Sequence, residues 1–233
     1  MSNLQVAVSV AAFSVPQLIF AMDSFAGAGL PYHLLFESSC VELLKRSSSQ
    51  NISWGQAVGI LESCAAVGLW LPELSLFYRR LRRQQELARM PTMGLIRFLS
   101  AATDLELTDK AGTDVRELLN RILAETLPER PLPLEETAII LQSLQNSGTV
   151  PPEKQLRHLL SWVAHTRPSQ FTQMQLTVLR QFILFVLTQA EDIQRASLHR
   201  MPVEMQTFIS EQSDGERPRW HRRGNQTSPI SGD

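Results

Sequence analysis

Pro133–Thr166 reads PLEETAIILQSLQNSGTVPPEKQLRHLLSWVAHT, and its pattern decides the fold. Two runs of helical periodicity are joined by a short Gly and Pro break. Ala138, Leu141 and Leu144 mark one face of the first run; Leu156, Leu159, Leu160 and Val163 mark one face of the second. Glu135 and Glu136 fall in the first turn, where carboxylates oppose the positive end of the helix dipole. Gly148 can take the left-handed conformation that ends a helix, and Pro151–Pro152 forbids continuation. The stretch is a helical hairpin.

The hairpin recurs. Pro16 to Met22 with Gly29 matches Gly55 to Leu61 with Gly68, then Met93 to Leu99, then Glu135 to Leu141 with Gly148. The offsets are 55 − 16 = 39, 93 − 55 = 38 and 135 − 93 = 42. A fifth copy starts at Gln173, 38 residues on (173 − 135), and runs through Leu176, Leu179 and Phe182. A helix pair repeating at about forty residues leaves an apolar face that only a neighbouring pair can cover. The expected fold is all-α, an α-solenoid of four to five helical-hairpin repeats of about 38–42 residues. The plainer reading is a helical bundle with chance spacing, but the glycines and apolar triplets recur together. Repeats fall near 14–52, 53–90, 91–132, 133–170 and 171–210, after a cap segment at 1–13 and before a disordered basic tail at 211–233.

Local signals agree. Ser14-Val-Pro-Gln17 and Ser53-Trp-Gly-Gln56 both spell the capping box, in register with the repeat. A second helix is expected over His33–Arg46, another over about Pro72–Ala88, and a third to Leu127 with Asp114 as its cap. Pro128–Pro133 reads as a stiff linker.

Composition narrows the functional classes. The formal net charge is −1, which argues against a whole surface that grips nucleic acid. Lys45, Lys110 and Lys154 are the only lysines among 22 basic residues, leaving 19 arginines (22 − 3). Arginine suits bidentate contacts, although a GC-rich genome gives the same bias. Cys40 and Cys64 both lie in apolar helical runs and read as buried free thiols. Residues 1–13 carry no Arg or Lys, unlike a signal or transit peptide. No apolar run reaches the length of a membrane span, so no membrane insertion is expected.

No phosphate-binding glycine loop, dinucleotide fingerprint, zinc-protease helix or nucleophile elbow is present in the sequence. The histidines are His33, His158, His165, His199 and His221, and none has metal spacing; His158 and His165 stand two turns apart. No catalytic residue, metal, cofactor or small-molecule substrate is assigned. Two basic features remain. Arg79, Arg80, Arg82 and Arg83 share one helix and either contact phosphate, or form a solvated helix face, or make salt bridges to an acidic neighbour. Arg217, Arg219, Trp220, Arg222 and Arg223 interleave charge with an aromatic that can stack on a base, or form an ordinary terminus.

The registered first helices, above all Ala138 to Leu144 with Gly148, resemble the degenerate helix-pair repeats of organellar RNA proteins, the octotricopeptide and heptatricopeptide classes. The resemblance spans Ser14 to Leu187 and carries no RNA-coding position. It implies an organellar, mitochondrial protein of a ribonucleoprotein assembly. With the repeat pattern, the missing catalytic motifs, the near-neutral body and the Arg-rich tail, the expected role is a noncatalytic scaffold subunit of a large ribonucleoprotein, ribosomal or RNA-processing, contacting protein subunits and RNA backbone. The alternative is an accessory structural subunit of a respiratory or ATP synthase complex.

Overall fold

The computed structural model describes residues 10–47, 52–83, 90–125, 132–164 and 166–189. The described residues form helices and connecting turns, with no strand among them. The helices are α1 (Val15–Gly27), α2 (His33–Arg46), α3 (Trp54–Ala66), α4 (Pro72–Arg83), α5 (Thr92–Asp104), α6 (Thr113–Glu125), α7 (Leu134–Asn146), α8 (Glu153–Ala164) and α9 (Gln173–Gln189). Odd-numbered helices open each pair, and even-numbered ones complete it.

The opening helices start alike. Ser14, Ser53, Pro91 and Pro133 stand at the N-caps of α1, α3, α5 and α7. At α3, Gln56 Oε1 accepts the Ser53 N–H at 2.9 Å while Ser53 Oγ accepts the Gln56 N–H at 3.3 Å. At α1, Gln17 Oε1 accepts the Ser14 N–H at 2.8 Å. A further box precedes α9, where Thr172 and Gln175 exchange the same two bonds at 2.9 and 3.3 Å. These five starts are spaced 53 − 14 = 39, 91 − 53 = 38, 133 − 91 = 42 and 172 − 133 = 39 residues apart.

They also end alike. Gly29, Gly68 and Gly148 take φ of 65°, 64° and 64°, and Glu106 takes the same left-handed place at 52°. In each case the following residue donates its N–H to the carbonyl five residues back: Leu30 to Phe25, Leu69 to Cys64, Leu107 to Ala102 and Thr149 to Leu144, at 2.9–3.0 Å. This motif satisfies carbonyls that the helix end would leave bare.

Opening helices stack in chain order, α1 on α3, α3 on α5, α5 on α7 and α7 on α9, while each even helix from α2 to α8 packs on its partner and α2 also meets α4. An inner helix in such a row must bury residues toward both neighbours. So α5 buries Leu95, Ile96, Phe98, Leu99, Ala101 and Ala102, and α7 buries Ile140, Leu141 and Leu144. Small residues let the helices approach. A Cβ on Gly94 would lie 2.9 Å from the Trp54 ring and 2.8 Å from Met90 Cγ. Ser24, Ser63 and Ser143 occupy one register position, and each hydroxyl donates to the carbonyl four residues back, at 2.7–2.8 Å. Back-bonding of this kind keeps a hydroxyl satisfied without a distant partner.

One expectation is corrected. Asp114 lies inside α6, not at its cap, because the helix begins at Thr113. The capping acceptor is Asp109, whose Oδ1 takes the Asp114 N–H at 2.9 Å. The Asp114 side chain is thereby left for another role. Of the expected cap segment at 1–13, the part at 10–13 is described: Val10 is buried, and Arg46 of α2 donates to the carbonyls of Ala11 and Phe13. Residues 84–89, most of the Pro128–Pro133 linker, and the expected last helix and tail from 190 onward lie outside the described residues.

Candidate interaction surface

The candidate surface is built on α4, whose last turns hold Arg79, Arg80, Arg82 and Arg83. The helix seats itself through Leu74, Phe77 and Tyr78, all buried. Their spacing puts an apolar stripe on one side. Leu76 and Arg79 are exposed, three residues apart on the same side of the helix. Trp70, in the turn entering α4, is 53% exposed. Arg80 and Arg83 lie on the helix, with their side chains outside the described atoms.

Arg82 takes one of the roles open to it, pairing with acidic neighbours. Its guanidinium grips Asp114 and Glu117 of α6. The Asp114 carboxylate also accepts the Tyr78 hydroxyl at 3.3 Å. Tyr78 and Arg82 are four residues apart, so both follow the edge of α4 that faces the next pair. Tyr78 in turn stacks on Phe98 of α5, ring centroids 5.4 Å apart. Burial first, then the Asp114 charge, pushes the Tyr78 phenol far above its ordinary value. In this fold Arg82 is a tie between α4 and α6, and its charge is spent on its own chain.

Other polar side chains also link neighbouring pairs. Arg97 of α5 donates to Glu62 of α3, its Nε at 2.6 Å. Asn146 of α7 donates to Asp104 of α5 at 2.7 Å. Gln155 of α8 donates to Asn120 of α6. Such pairs contribute little energy when exposed, but they favour one register of stacking over others.

Charge divides between the two sets of helices. The opening helices α1, α3, α5, α7 and α9 carry −1, −1, 0, −2 and +1, a total of −3; the partner helices α2, α4, α6 and α8 carry 0, +3, −1 and +1, a total of +3. The positive side is therefore the partner-helix side, and α4 supplies most of it.

His158 and Trp162 of α8 meet edge to face, with ring centroids 4.8 Å apart, and His158 Nε2 and Trp162 Nε1 have no hydrogen-bond partner. Burial, then Lys154, lowers the His158 pKa below its ordinary value. His33 is exposed, while the His165, His199 and His221 side chains lie outside the described residues. So do Arg217, Arg219, Trp220, Arg222 and Arg223. Among the described residues no group of three or more His, Cys, Asp or Glu could hold a metal, and no helix is long and apolar enough to cross a membrane. Both cysteines are free and buried.

The geometry thus brings Arg79 to the surface and turns Arg82 inward. The tie to Asp114 and Glu117 could be sought in the sequence only by comparing partner helices across a repeat. No protein-family model, curated protein or solved structure matches the chain.

Proposed function

We propose that the chain is a noncatalytic scaffold, an α-solenoid of four complete helix pairs and the opening helix of a fifth. The observation that carries this reading is the register of helix starts and left-handed ends at about forty-residue spacing. Stacked pairs present extended surfaces suited to holding partners. The charge division supports an acidic or phosphate-bearing partner on the partner-helix side, where Arg79 is exposed on α4 with Leu76 and, in the turn before it, Trp70. The scaffold, on this reading, belongs to a mitochondrial ribonucleoprotein, ribosomal or RNA-processing, among protein subunits and RNA backbone, and the repeat resemblance in the sequence supports it. In this reading Arg80, Arg83 and the tail from Arg217 to Arg223 add to the RNA contact.

The internal use of Arg82 favours a second reading, an accessory structural subunit of a respiratory or ATP synthase complex, because it removes one cation from the phosphate patch. One experiment separates the two. The full-length protein is recovered from its own cells, and its copurifying partners are identified; in parallel, its binding to mixed RNA is titrated against salt. Ribosomal or processing RNA in the eluate, with affinity that falls steeply as salt rises, supports the first reading. Inner-membrane enzymes in the eluate, with no RNA binding at low salt, overturn it in favour of the second.

A further inference from the structure

The chain has two cysteines, and they touch. Cys40 lies on α2 and Cys64 on α3, 24 residues apart in sequence, with their sulfurs 3.9 Å apart. Cys40 is 5% exposed and Cys64 is sealed. Disulfide sulfurs stand about 2.0 Å apart, so about 1.9 Å separates this contact from a bond. Closing it takes rotation of both side chains and a Cα separation of about 4.4–6.8 Å. The surroundings are mostly apolar: Leu43, Ile60, Leu74 and Phe77 share a hollow with Cys40, and Glu73 completes its lining. Among the described residues no third ligand completes a metal set around the two thiols.

We propose that Cys40 and Cys64 form a reversible internal disulfide that staples α2 to α3, and hence the first helix pair to the second. The oxidant is a peroxide, small enough to enter during local opening. Cys40 keeps some exposure and reacts first. Its sulfur attacks one peroxide oxygen and the O–O bond breaks. The sulfur becomes a sulfenic acid, and the departing hydroxide leaves as water with the thiol proton. The Cys64 sulfur then attacks the Cys40 sulfur. The S–S bond forms, and the hydroxyl departs as a second water with the Cys64 proton. Two electrons pass from two thiols to one peroxide. A dithiol reductant reverses the closure by exchange.

The hydrogen bond with Cys64, burial and the Glu73 carboxylate all hold the Cys40 thiol protonated. Thiolate is the reactive form, so closure is slow beside that of an exposed cysteine. The pair is a latch that records lasting oxidation, and it is independent of the partner the scaffold holds.

The test uses the reduced full-length protein, folded, with hydrogen peroxide as the probe. The expected result is an intact mass lower by about 2 Da, one peptide joining Cys40 to Cys64, and a melting temperature raised by several degrees that dithiothreitol restores. In Cys64→Ser, dimedone should trap a sulfenic acid at Cys40 instead. Should that variant fail to fold, the wild-type peptide map still decides. Sulfinic acid at Cys40 of the wild type, disulfide-linked dimers, or joining of the two cysteines only in denaturant would each overturn the proposal.

Discussion

Glu106 stands 42 residues before Gly148 and takes the same left-handed backbone position, φ 52° against 64°. A side chain there crowds the following carbonyl, at a cost of about 1–2 kcal/mol that glycine avoids. Glu106→Gly should therefore stabilise the fold by about 1 kcal/mol after the added freedom of the unfolded chain is counted. Gly148→Ala should cost about 1 kcal/mol, the left-handed cost less the unfolded-chain entropy that alanine removes. A Cβ on Gly148 would meet nothing within 4 Å, so the loss would be purely conformational. Urea titration of both variants checks the pair. A destabilised Glu106→Gly would show that the carboxylate makes a compensating contact.

Leu141 is 2% exposed on α7, the helix that packs against both α5 and α9. Leu141→Ala should cost about 2–5 kcal/mol, the range for a buried leucine whose surroundings cannot collapse onto the void. A loss within about half a kcal/mol would show that the neighbouring pairs separate easily and refill the site.

Arg79 and Arg82 should part company on substitution. Arg79 is exposed, so Arg79→Gln should leave the melting temperature unchanged. Arg82→Gln should cost about 1–3 kcal/mol, because it leaves the Asp114 carboxylate, 12% exposed, without its cation. Partner assembly should respond in the opposite sense, weakening with Arg79→Gln. Equal melting temperatures for the two variants would mean that the tie to α6 is a solvated pair of no consequence to folding.

His158 makes stability depend on pH. Its folded pKa lies below the ordinary 6.5, so between those two values the unfolded chain binds more protons than the folded one. The stability is full above the ordinary value and declines as pH falls through that window. Denaturation midpoints at about pH 7.5 and about pH 5.5 should differ, and His158→Gln should shrink the difference. An unchanged difference would assign the decline to carboxylates.

Helix identity and register are legible in the sequence because their determinants are local. Gly29, Gly68 and Gly148 announce helix ends through a conformation glycine accepts cheaply, and Ser14 and Ser53 announce starts through side chains that reach their own backbone. Glu106 ends its helix the same way but bears a residue type that gives no warning. The serine row at 24, 63 and 143 is hidden by Ala101, which fills the third place by smallness alone. Asp109 is hidden by distance, since it caps from five residues before Asp114. For Arg82 the sequence offers pairing with an acidic neighbour as one reading but does not name the acid. Angular counting around α4 shows what lies on its flank, but the acid that meets that flank is on α6, a full repeat onward. The basic residues from Arg217 to Arg223 stay a matter of sequence alone.

The row of opening helices has a consequence for synthesis on the ribosome. Because α3 docks on α1, α5 on α3, α7 on α5 and α9 on α7, each pair emerges to find its docking face already built. A closed barrel must wait for its last strand before its first is covered. Here the unfinished protein exposes one fresh apolar edge at a time, which limits the window for aggregation to the most recently made helices.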